Sequence, residues 1–459
     1  MTGKIPVFLR RAIEPFLRKI AQLDEQELKR TVDAFLNRRQ MFLETVRAEG
    51  SPLYVFDLET LVARYRRFRA AFQAVLPELR MYYALKSNSH PLPAATLVRE
   101  GCGLDVSSGL ELNTALDCNA TDIVFSGPGK RVDELKLAVD NAERVTILLD
   151  SFTELRRLER VALQAGTVVR AGVRLTIAET GIWQKFGIPL DRLPYFFEEA
   201  SRCRHINLCG LQFHVSWNLD PGAQVSFIAR LGAALVRLDR KYRDNIRFLD
   251  IGGGFWPEQG EWLQEAATPR GMFRGALEEK DIFGLNHYRQ EARPIEDFAE
   301  RLAAALGQYL PEDMKVTICL EPGRWLCNDA MHILLTVLDK KLPNLVITDG
   351  GTNAVGWERF EYDFFPVINL TRPGIDEHEC LVAGSLCTPH DLWGYSYFGE
   401  GIEEGDVLLV PNQGAYTYSL RQEFIKPLPG CTELITDGSA GVRQPYPAIA
   451  RADSKKIKT

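Results

Sequence analysis

A short apolar run stops at a lysine and passes into a polar loop in Arg80-Met81-Tyr82-Tyr83-Ala84-Leu85-Lys86-Ser87-Asn88-Ser89-His90-Pro91. The five uncharged, largely bulky residues before Lys86 are typical of a strand buried on both faces, and Ser-Asn-Ser-His-Pro ends it with turn-forming residues. Lys86 therefore lies at the mouth of a core. Taken alone, Lys86 marks only the edge of the apolar layer. Whether it has a functional role depends on the rest of the chain.

Short apolar strands alternate with amphipathic segments from residue 80 to residue 322. Helical segments between the strands include Gly109–Asp117, Thr153–Gln164 and Ile295–Leu306. Strand-helix alternation repeated eight times predicts an α/β fold of the (β/α)8 TIM-barrel type, since a doubly wound sheet would not need so many strands. The eight predicted strands are Met81–Leu85, Leu104–Ser107, Ile123–Ser126, Val145–Leu149, Val168–Leu175, Leu208–His214, Ile246–Ile251 and Val316–Leu320.

The flanking regions have a different character. Apolar residues at helical spacing between 4 and 48 predict one or two helices, and Ser51–Asp57 is predicted to be a strand that enters the barrel. After residue 325, short β-like runs separated by turn residues predict a smaller, β-rich domain. We therefore expect a helical extension over residues 1–50 packed on the C-terminal domain, a barrel over 51–325 and the β-rich domain over 326–459.

Composition limits the possible partners. The chain has 459 residues, of which 46% are hydrophobic and 25% charged, and a net charge of -6 from interspersed charges. Neither nucleic acid nor a membrane is implied, which leaves small molecules and protein partners. The nine cysteines contain no CxxC pair and no ligand spacing with histidine. We therefore expect a cytoplasmic protein without a metal site.

Two loops at the predicted barrel mouth carry a candidate anion site. The seventh strand is followed by Gly252-Gly253-Gly254, whose glycines allow close backbone approach and turn N–H groups toward an anion. The eighth is followed by Glu321-Pro322-Gly323-Arg324, which supplies a carboxylate and a guanidinium. A lone triple glycine is most often a tight turn. In this fold, however, the loops after strands seven and eight commonly hold phosphate, and we predict that they do so here.

An amine beside a phosphate site fits pyridoxal 5'-phosphate. Lys86 would condense with the cofactor aldehyde as a Schiff base, and a carboxylate near the pyridine nitrogen would keep the ring protonated as an electron sink. Glu321 is the candidate for that carboxylate. His214 ends the sixth strand and could stack on the ring, although a histidine at a strand end is more often a hydrogen-bonded core residue.

An ordered set of motifs then resembles the alanine-racemase-like, pyridoxal phosphate-dependent decarboxylases, which include diaminopimelate, ornithine and arginine decarboxylases. The resemblance covers roughly residues 50 to 425. It implies a barrel with a β domain and a homodimer whose active sites are completed by the partner subunit. The motifs are Tyr83–Asn88, Asp105–Gly109, Lys185–Ile188, Phe213–Val215, Asp250–Gly254, Glu321–Arg324, Cys387–Asp391 and Gly414–Tyr416.

The resemblance implies roles for individual residues. Lys86 resembles the Schiff-base lysine of a reaction that passes through a quinonoid intermediate, and Cys387 resembles the cysteine that reaches across the dimer to protonate the carbanion. Most cysteines are inert thiols, and that is the default for Cys387 as well. Its irregular polar loop, however, is a setting in which a thiol can transfer protons. Asp391 resembles an acidic substrate contact. His214, Glu321 and Asp105 resemble contacts to the cofactor, and the implied phosphate contacts are Gly252, Gly253, Gly254, Arg324 and Tyr416.

The chain departs from the family pattern at two positions. The histidine motif usually continues with Gly-Ser, whose serine binds phosphate, whereas Ser216-Trp217 stands here. Either Ser216 has taken over that contact or another donor has replaced it. Diaminopimelate decarboxylases usually have glutamate after the cysteine, and this chain has Thr388. The change argues against a meso-diacid substrate.

The segment Gly356–Asp363 is acidic where that family presents an arginine to the distal carboxylate, and its carboxylates would suit a distal ammonium. Glu358, Arg359, Glu361 and Thr388 are therefore candidate substrate contacts. On these substitutions the chain resembles bacterial D-ornithine/D-lysine decarboxylases, and our hypothesis is conversion of D-lysine or D-ornithine to cadaverine or putrescine. The alternatives are meso-diaminopimelate, L-ornithine or L-lysine.

Two functions other than decarboxylation are also possible for this fold. A racemase would be expected to have an arginine at the pyridine nitrogen, and Glu321 argues against that function. A non-catalytic pyridoxal phosphate-binding protein would be expected to lose Lys86 or Cys387, and both are present.

Overall fold

The computed structural model describes residues 20–178, 180–278, 284–356 and 359–434. Eight parallel strands close into a barrel in chain order, so the predicted (β/α)8 architecture is confirmed. Each predicted strand overlaps an observed one. The observed strands are Leu79–Ala84, Gly103–Val106, Ile123–Phe125, Val145–Leu149, Val169–Leu175, Ile206–Phe213, Phe248–Asp250 and Thr317–Leu320.

Amphipathic helices surround the barrel. Phe152–Ala165 illustrates why they form: the Ser151 side chain accepts the Glu154 N–H at the N-terminus, and Gly166 adopts the left-handed conformation at the C-terminus. Its buried side chains recur at helical spacing and face the strands. The other long helices of this region are Leu58–Gln73, Pro91–Arg99, Gly109–Asp117, Val132–Val139, Leu193–Ala200, Gly222–Arg237 and Ile295–Tyr309.

The amino-terminal part of the barrel interior is apolar. The ring of Phe248 lies over Gly210 and Gly172, where an added Cβ would come within 1.9 Å and 2.9 Å of ring atoms. Tyr82 covers Gly103 in the same way. Glycines on the interior face therefore make room for two large rings, and these rings close the barrel below the polar residues at its carboxyl end.

A second, mixed sheet of eight strands lies beside the barrel in the order Leu345–Thr348, Glu377–Ala383, Leu392–Phe398, Ile368–Asn369, Val407–Val410, Met331–Leu342, Leu53–Phe56 and Gly430–Glu433. The predicted β-rich region is thus present. One placement was wrong: Leu53–Phe56 was predicted to enter the barrel, but it pairs with Met331–Leu342 and Gly430–Glu433. The domain boundaries at residues 50 and 325 remain predictions.

Two helices of the predicted N-terminal extension, Glu25–Leu36 and Arg39–Glu49, fall within the described residues. Leu28, Val32 and Phe42 from these helices share an apolar cluster with the second sheet. Predicted helical positions 4–19 and the C-terminal tail lie outside the described residues. No helix in the described ranges is long and apolar enough to cross a membrane.

The long insert after the seventh barrel strand has structure of its own. It contains strands Glu261–Gln264 and His287–Gln290, which form a small sheet with Ala21–Gln22, and a helix Pro269–Glu278. Trp256 and Glu261 from this insert line the cavity at the carboxyl end of the barrel. The insert therefore contributes to the cavity at the carboxyl end of the barrel.

Candidate active site

A cavity of about 900 Å³ opens at the carboxyl end of the barrel. Barrel loops, the insert and the second sheet all contribute to its wall. Of the residues predicted from the sequence, the cavity brings together Lys86, His214, Ser216, Gly254, Glu321, Arg324, Arg359 and Tyr416.

Lys86 lies in a single 3-10 turn, Leu85–Ser87, that follows the first barrel strand. The turn is held from both sides: Ser87 Oγ donates to the Ala84 carbonyl at 2.7 Å, and Tyr416 N donates to the Ser87 carbonyl at 2.7 Å. The backbone around the lysine is thereby fixed, so that only the side chain of Lys86 is free to reach into the cavity.

The Lys86 amine forms an ion pair with a buried carboxylate. Lys86 Nζ lies 2.5 Å from Asp105 Oδ2, and Ser126 Oγ donates to Asp105 Oδ1 at 2.5 Å. Burial would lower the pKa of Lys86, but the negative charges of Asp105 and Glu321 raise it above its usual value. Lys86 is therefore an ammonium group oriented by Asp105. Asp105 does not line the cavity itself but acts through the lysine.

Glu321 follows the eighth strand and is buried, with 2% of its surface exposed. Gln212 Nε2 donates to Glu321 Oε1 at 3.3 Å, and His214 Nδ1 lies 3.7 Å from Glu321 Oε2. Burial would raise the pKa of Glu321, but the positive charges of Lys86 and Arg174 hold it below its usual range. Glu321 is therefore an ionised carboxylate in the cavity wall.

His214 is held by two hydrogen bonds. Its Nδ1 accepts the Gly253 N–H at 3.1 Å, which leaves Nε2 to carry the ring proton and donate it to Ser216 Oγ at 3.1 Å. Burial lowers the pKa of His214, in agreement with a neutral ring. Ser216 is thus bonded to the histidine at the position where the family pattern leads to a phosphate contact.

The triple glycine packs tightly against neighbouring loops. A Cβ on Gly252 (φ +71) would lie 2.6 Å from the Phe213 carbonyl oxygen, and one on Gly253 would lie 2.1 Å from the Glu321 carbonyl oxygen. Two of the three amides are already used, because Gly252 N donates to Asp250 Oδ1 and Gly253 N to His214. Of the three glycines, Gly254 lines the cavity, and the phosphate contacts of Gly252, Gly253 and Gly254 stay a prediction.

Arg324 supplies a positive charge at the cavity. Its guanidinium lies 4.2 Å from the Trp256 ring centre and 4.9 Å from that of Tyr416. The ion pairs found among the described residues do not include Arg324, so the cation is left facing the cavity. Burial lowers the pKa of this arginine. An anionic group in the cavity would restore the balance of charge.

Arg359, Asp363 and Glu261 form the part of the wall contributed by the second sheet and the insert. Arg359 Nε lies 3.6 Å from Asp363 Oδ2, and Arg359 Nη1 donates to the Ala415 carbonyl at 3.2 Å. Burial lowers the pKa of Arg359 to about 10, so it remains a cation, and burial raises the pKa of both Asp363 and Glu261. Predicted contacts Glu358 and the side chain of Glu361 lie outside the described residues.

The loop of Cys387, Thr388 and Asp391 does not reach the cavity of its own chain. The Cys387 thiol is free and exposed. Asp391 is only 3% exposed and accepts hydrogen bonds from Thr352 N and Leu386 N, both at 2.6 Å. Within one chain the Asp391 carboxylate therefore shapes the loop that presents Cys387, and a contact of Asp391 with substrate stays a prediction.

Several cavity residues were missed in the sequence. Arg174 ends the fifth predicted strand, and its position on the rim was a usable signal. Glu261 and Trp256 lie in the insert after the seventh barrel strand, outside the motifs that the sequence offered. Trp217 lines the mouth with an unusual positive φ of 56° and is 63% exposed, a conformation that its sequence does not signal.

A lysine ammonium, an ionised carboxylate and a guanidinium with no ion pair among the described residues surround one barrel cavity. They fit a cofactor with an aldehyde, a basic ring nitrogen and a phosphate. These groups define the class of enzymes that use pyridoxal phosphate. The chain belongs to the pyridoxal-dependent decarboxylases, since the family model of their pyridoxal binding domain matches residues 58–328. It is a pyridoxal phosphate-dependent carboxy-lyase, as the motifs predicted.

Known relatives agree with this assignment. A diaminopimelate decarboxylase of Methanothermobacter thermautotrophicus is 27% identical over 82% of this chain and 84% of its own length. The fold matches a diaminopimelate decarboxylase of M. jannaschii in complex with L-lysine, with a TM-score of 0.71, 23% identity and coverage of 85% and 89% of the two chains. It also matches a Vibrio vulnificus lysine/ornithine decarboxylase complexed with cadaverine, with a TM-score of 0.68, 22% identity and coverage of 87% and 97%.

Proposed function

We propose that this enzyme removes the α-carboxyl group of an amino acid whose far end carries both an ammonium and a carboxylate, with meso-diaminopimelate as the first candidate. The observation that carries the proposal is the mixed charge of the distal wall, where Arg359 adjoins Asp363 and Glu261. A cation can bind a distal carboxylate while the acids bind a distal ammonium. Relatives that carry the name diaminopimelate decarboxylase support the same substrate.

The chain's own groups fit the chemistry of the cofactor. Pyridoxal phosphate, when bound, supplies an aldehyde for the substrate amine and a ring that accepts the electrons left by departing carbon dioxide. Lys86 would hold the aldehyde until the substrate replaces it, with Asp105 keeping the amine oriented. Glu321, as an ionised carboxylate, would keep the pyridine nitrogen protonated, and Arg324 and Tyr416 would bind the phosphate. His214 would lie against the ring with its own nitrogens already bonded.

The hypothesis of D-lysine or D-ornithine is not supported by the comparisons, which favour the alternative of meso-diaminopimelate or an L-diamino acid. The physical basis of the hypothesis also weakens. It rested on an acidic distal segment and on Thr388, but Asp363 is paired with Arg359, and Thr388 does not line the cavity of its own chain. D-lysine and D-ornithine are therefore included only as comparison substrates in the test below.

We infer that the active enzyme is a homodimer in which Cys387 of the partner subunit protonates the product. Two observations support this inference. Cys387 is exposed but absent from its own cavity wall, so it can act only on a cavity of another chain. The mouth of the cavity also presents exposed apolar side chains, Trp217 and Leu420, which a partner would cover.

We also infer a cytoplasmic location. All nine cysteines are free thiols, which is typical of a reducing compartment.

The substrate proposal is tested by measuring carbon dioxide release from meso-diaminopimelate, L-lysine, D-lysine, L-ornithine and D-ornithine in parallel. We expect kcat/KM to be highest for meso-diaminopimelate. Arg359→Met should lower that value about tenfold to a hundredfold, since a charged hydrogen bond to the distal carboxylate is lost, and should leave the lysine values nearly unchanged. A preference for any lysine or ornithine, or an equal loss on all substrates in the variant, would refute the proposal.

A further inference from the structure

Asp250, Gln212 and Glu321 form a buried polar layer in the barrel wall below the cavity. Asp250 pairs in register with Gln212 on the neighbouring parallel strand, so both side chains point to the same side of the sheet. The three residues are at most 2% exposed. Gln212 Nε2 donates to Glu321 Oε1, and Glu321 N donates to the Gly252 carbonyl at 2.9 Å, which places Glu321 on the chain segment next to Asp250.

Two oxygens of this layer lack a donor if both carboxyl groups are ionised. Asp250 Oδ1 accepts the Gly252 N–H at 2.8 Å. By contrast, Asp250 Oδ2 and Gln212 Oε1 have no donor among the described residues and are shielded from solvent. A buried charged oxygen without a donor is costly, and two carboxylates in one buried layer cannot both ionise readily. A proton on Asp250 Oδ2 removes both problems, because the oxygen loses its charge and can donate to one acceptor of the layer.

We propose that Asp250 is a neutral carboxylic acid that donates a hydrogen bond within this layer and holds the Glu321 carboxylate in place for the pyridine nitrogen. It is thus a positioning residue that acts through Glu321. Only one negative charge then remains in the pair, on the carboxyl group nearer the cofactor. The catalytic consequence rests on the proposed function, whereas the protonation of Asp250 does not.

The electrostatic surroundings favour the neutral form. Burial raises the pKa of Asp250 well above its usual range, and the negative charges of Glu321 and Asp105 raise it further, against the Gly252 N–H that lowers it. The positive charges near the pair lie beyond Glu321 and act mainly on that residue. The titratable and charged groups around the pair are Asp105, Cys319, Lys86, His214 and Arg174.

Difference infrared spectroscopy of the holoenzyme tests the protonation directly. We expect the carbonyl band of a protonated aspartic acid at pH 7 in wild type prepared with labelled aspartate, and we expect Asp250→Asn to abolish it. Asp391→Asn is the matched control, because Asp391 is also buried and accepts hydrogen bonds through both oxygens, and the band should survive its replacement. A wild-type spectrum without the band, or with a band that survives in the Asp250 variant, would overturn the proposal. If Asp250→Asn does not fold, Asp250→Leu takes its place in this measurement, and a wild-type spectrum without the band overturns the proposal in either case.

Substitutions test the positioning role. Asparagine at 250 reproduces the pattern of the acid, with one acceptor and one donor, whereas leucine of similar size has neither. We expect kcat of Asp250→Leu to fall about tenfold to a hundredfold below that of Asp250→Asn, with an altered pH dependence of the bound cofactor's absorbance. Equal loss in both variants would overturn the role of the donated hydrogen bond. Because the infrared band needs no turnover, a wrong substrate assignment would leave it in place.

Discussion

Replacing Arg324 with methionine should weaken the binding of pyridoxal phosphate far more than the binding of pyridoxal, which lacks the phosphate. The guanidinium lies between the rings of Trp256 and Tyr416 and faces the cavity without a carboxylate partner among the described residues. Methionine keeps an apolar side chain against both rings and removes only the charge and the donors. The substitution therefore isolates the contact to the phosphate.

The size of the effect follows from the geometry. Hydrogen bonds to charged groups are worth about 1.5–3 kcal/mol each, and an arginine can place two on one phosphate. In the variant, water replaces some of these hydrogen bonds to the phosphate. The remaining loss of binding free energy is about 3 kcal/mol, which corresponds to about a hundredfold increase in Kd. Pyridoxal cannot make the contact, so its Kd should change by less than about threefold.

The Kd values of both ligands are measured by fluorescence titration of the cofactor-free protein, for wild type and variant. Arg66→Met serves as the control, because Arg66 forms an ion pair with Glu100 and its side chain is 67% exposed. It should change neither Kd. A similar loss for pyridoxal and its phosphate, or no loss for either, would remove Arg324 from the phosphate site.

Three further predictions address the dimer, the barrel and the pH dependence. Neither Lys86→Ala nor Cys387→Ala should turn over substrate alone, but an equal mixture refolded together should recover about a quarter of wild-type activity through hybrid dimers; no recovery would contradict shared sites. Gly210→Ala should lower the free energy of unfolding by about 3 kcal/mol in urea titrations, because the added Cβ would lie 1.9 Å from the Phe248 ring. Gly307 has open space around it, so Gly307→Ala should not lower the free energy of unfolding. Burial lowers the pKa of His90 from 6.5 to about 4, so protonation of His90 destabilises the folded state. As the pH falls from 6.5 to 4, the free energy of unfolding of the wild type should fall by up to about 3 kcal/mol more than that of His90→Asn. A difference between the two proteins that does not change with pH would refute this.

Much of the barrel could be predicted from the sequence because its strands are buried on both faces. Val145–Leu149 illustrates this: the predicted and observed bounds are the same. Once eight strands had been counted, the fold placed Lys86, Glu321 and Arg324 on one rim without any knowledge of their contacts. The candidate site was predictable to the extent that it follows from strand ends.

Pairings between distant parts of the chain could not be predicted. Leu53–Phe56 precedes the barrel in sequence, yet its partner Met331–Leu342 follows the last barrel strand. Apolar character alone does not distinguish the two sheets. Tertiary structure likewise determines the pairing of Arg359 with Asp363, the use of two glycine amides inside the protein and the burial of Asp391, and no local sequence pattern indicates them.

The assignment of Lys86 as the residue that holds the cofactor supports every other role in the site. Borohydride reduction of the holoenzyme makes the link between cofactor and protein permanent, and peptide mass spectrometry then locates it. We predict one pyridoxyl group per chain, on the peptide that contains Lys86, and none in the reduced Lys86→Ala variant. A pyridoxyl group on another lysine, or no stable modification of the wild-type protein, would contradict the account.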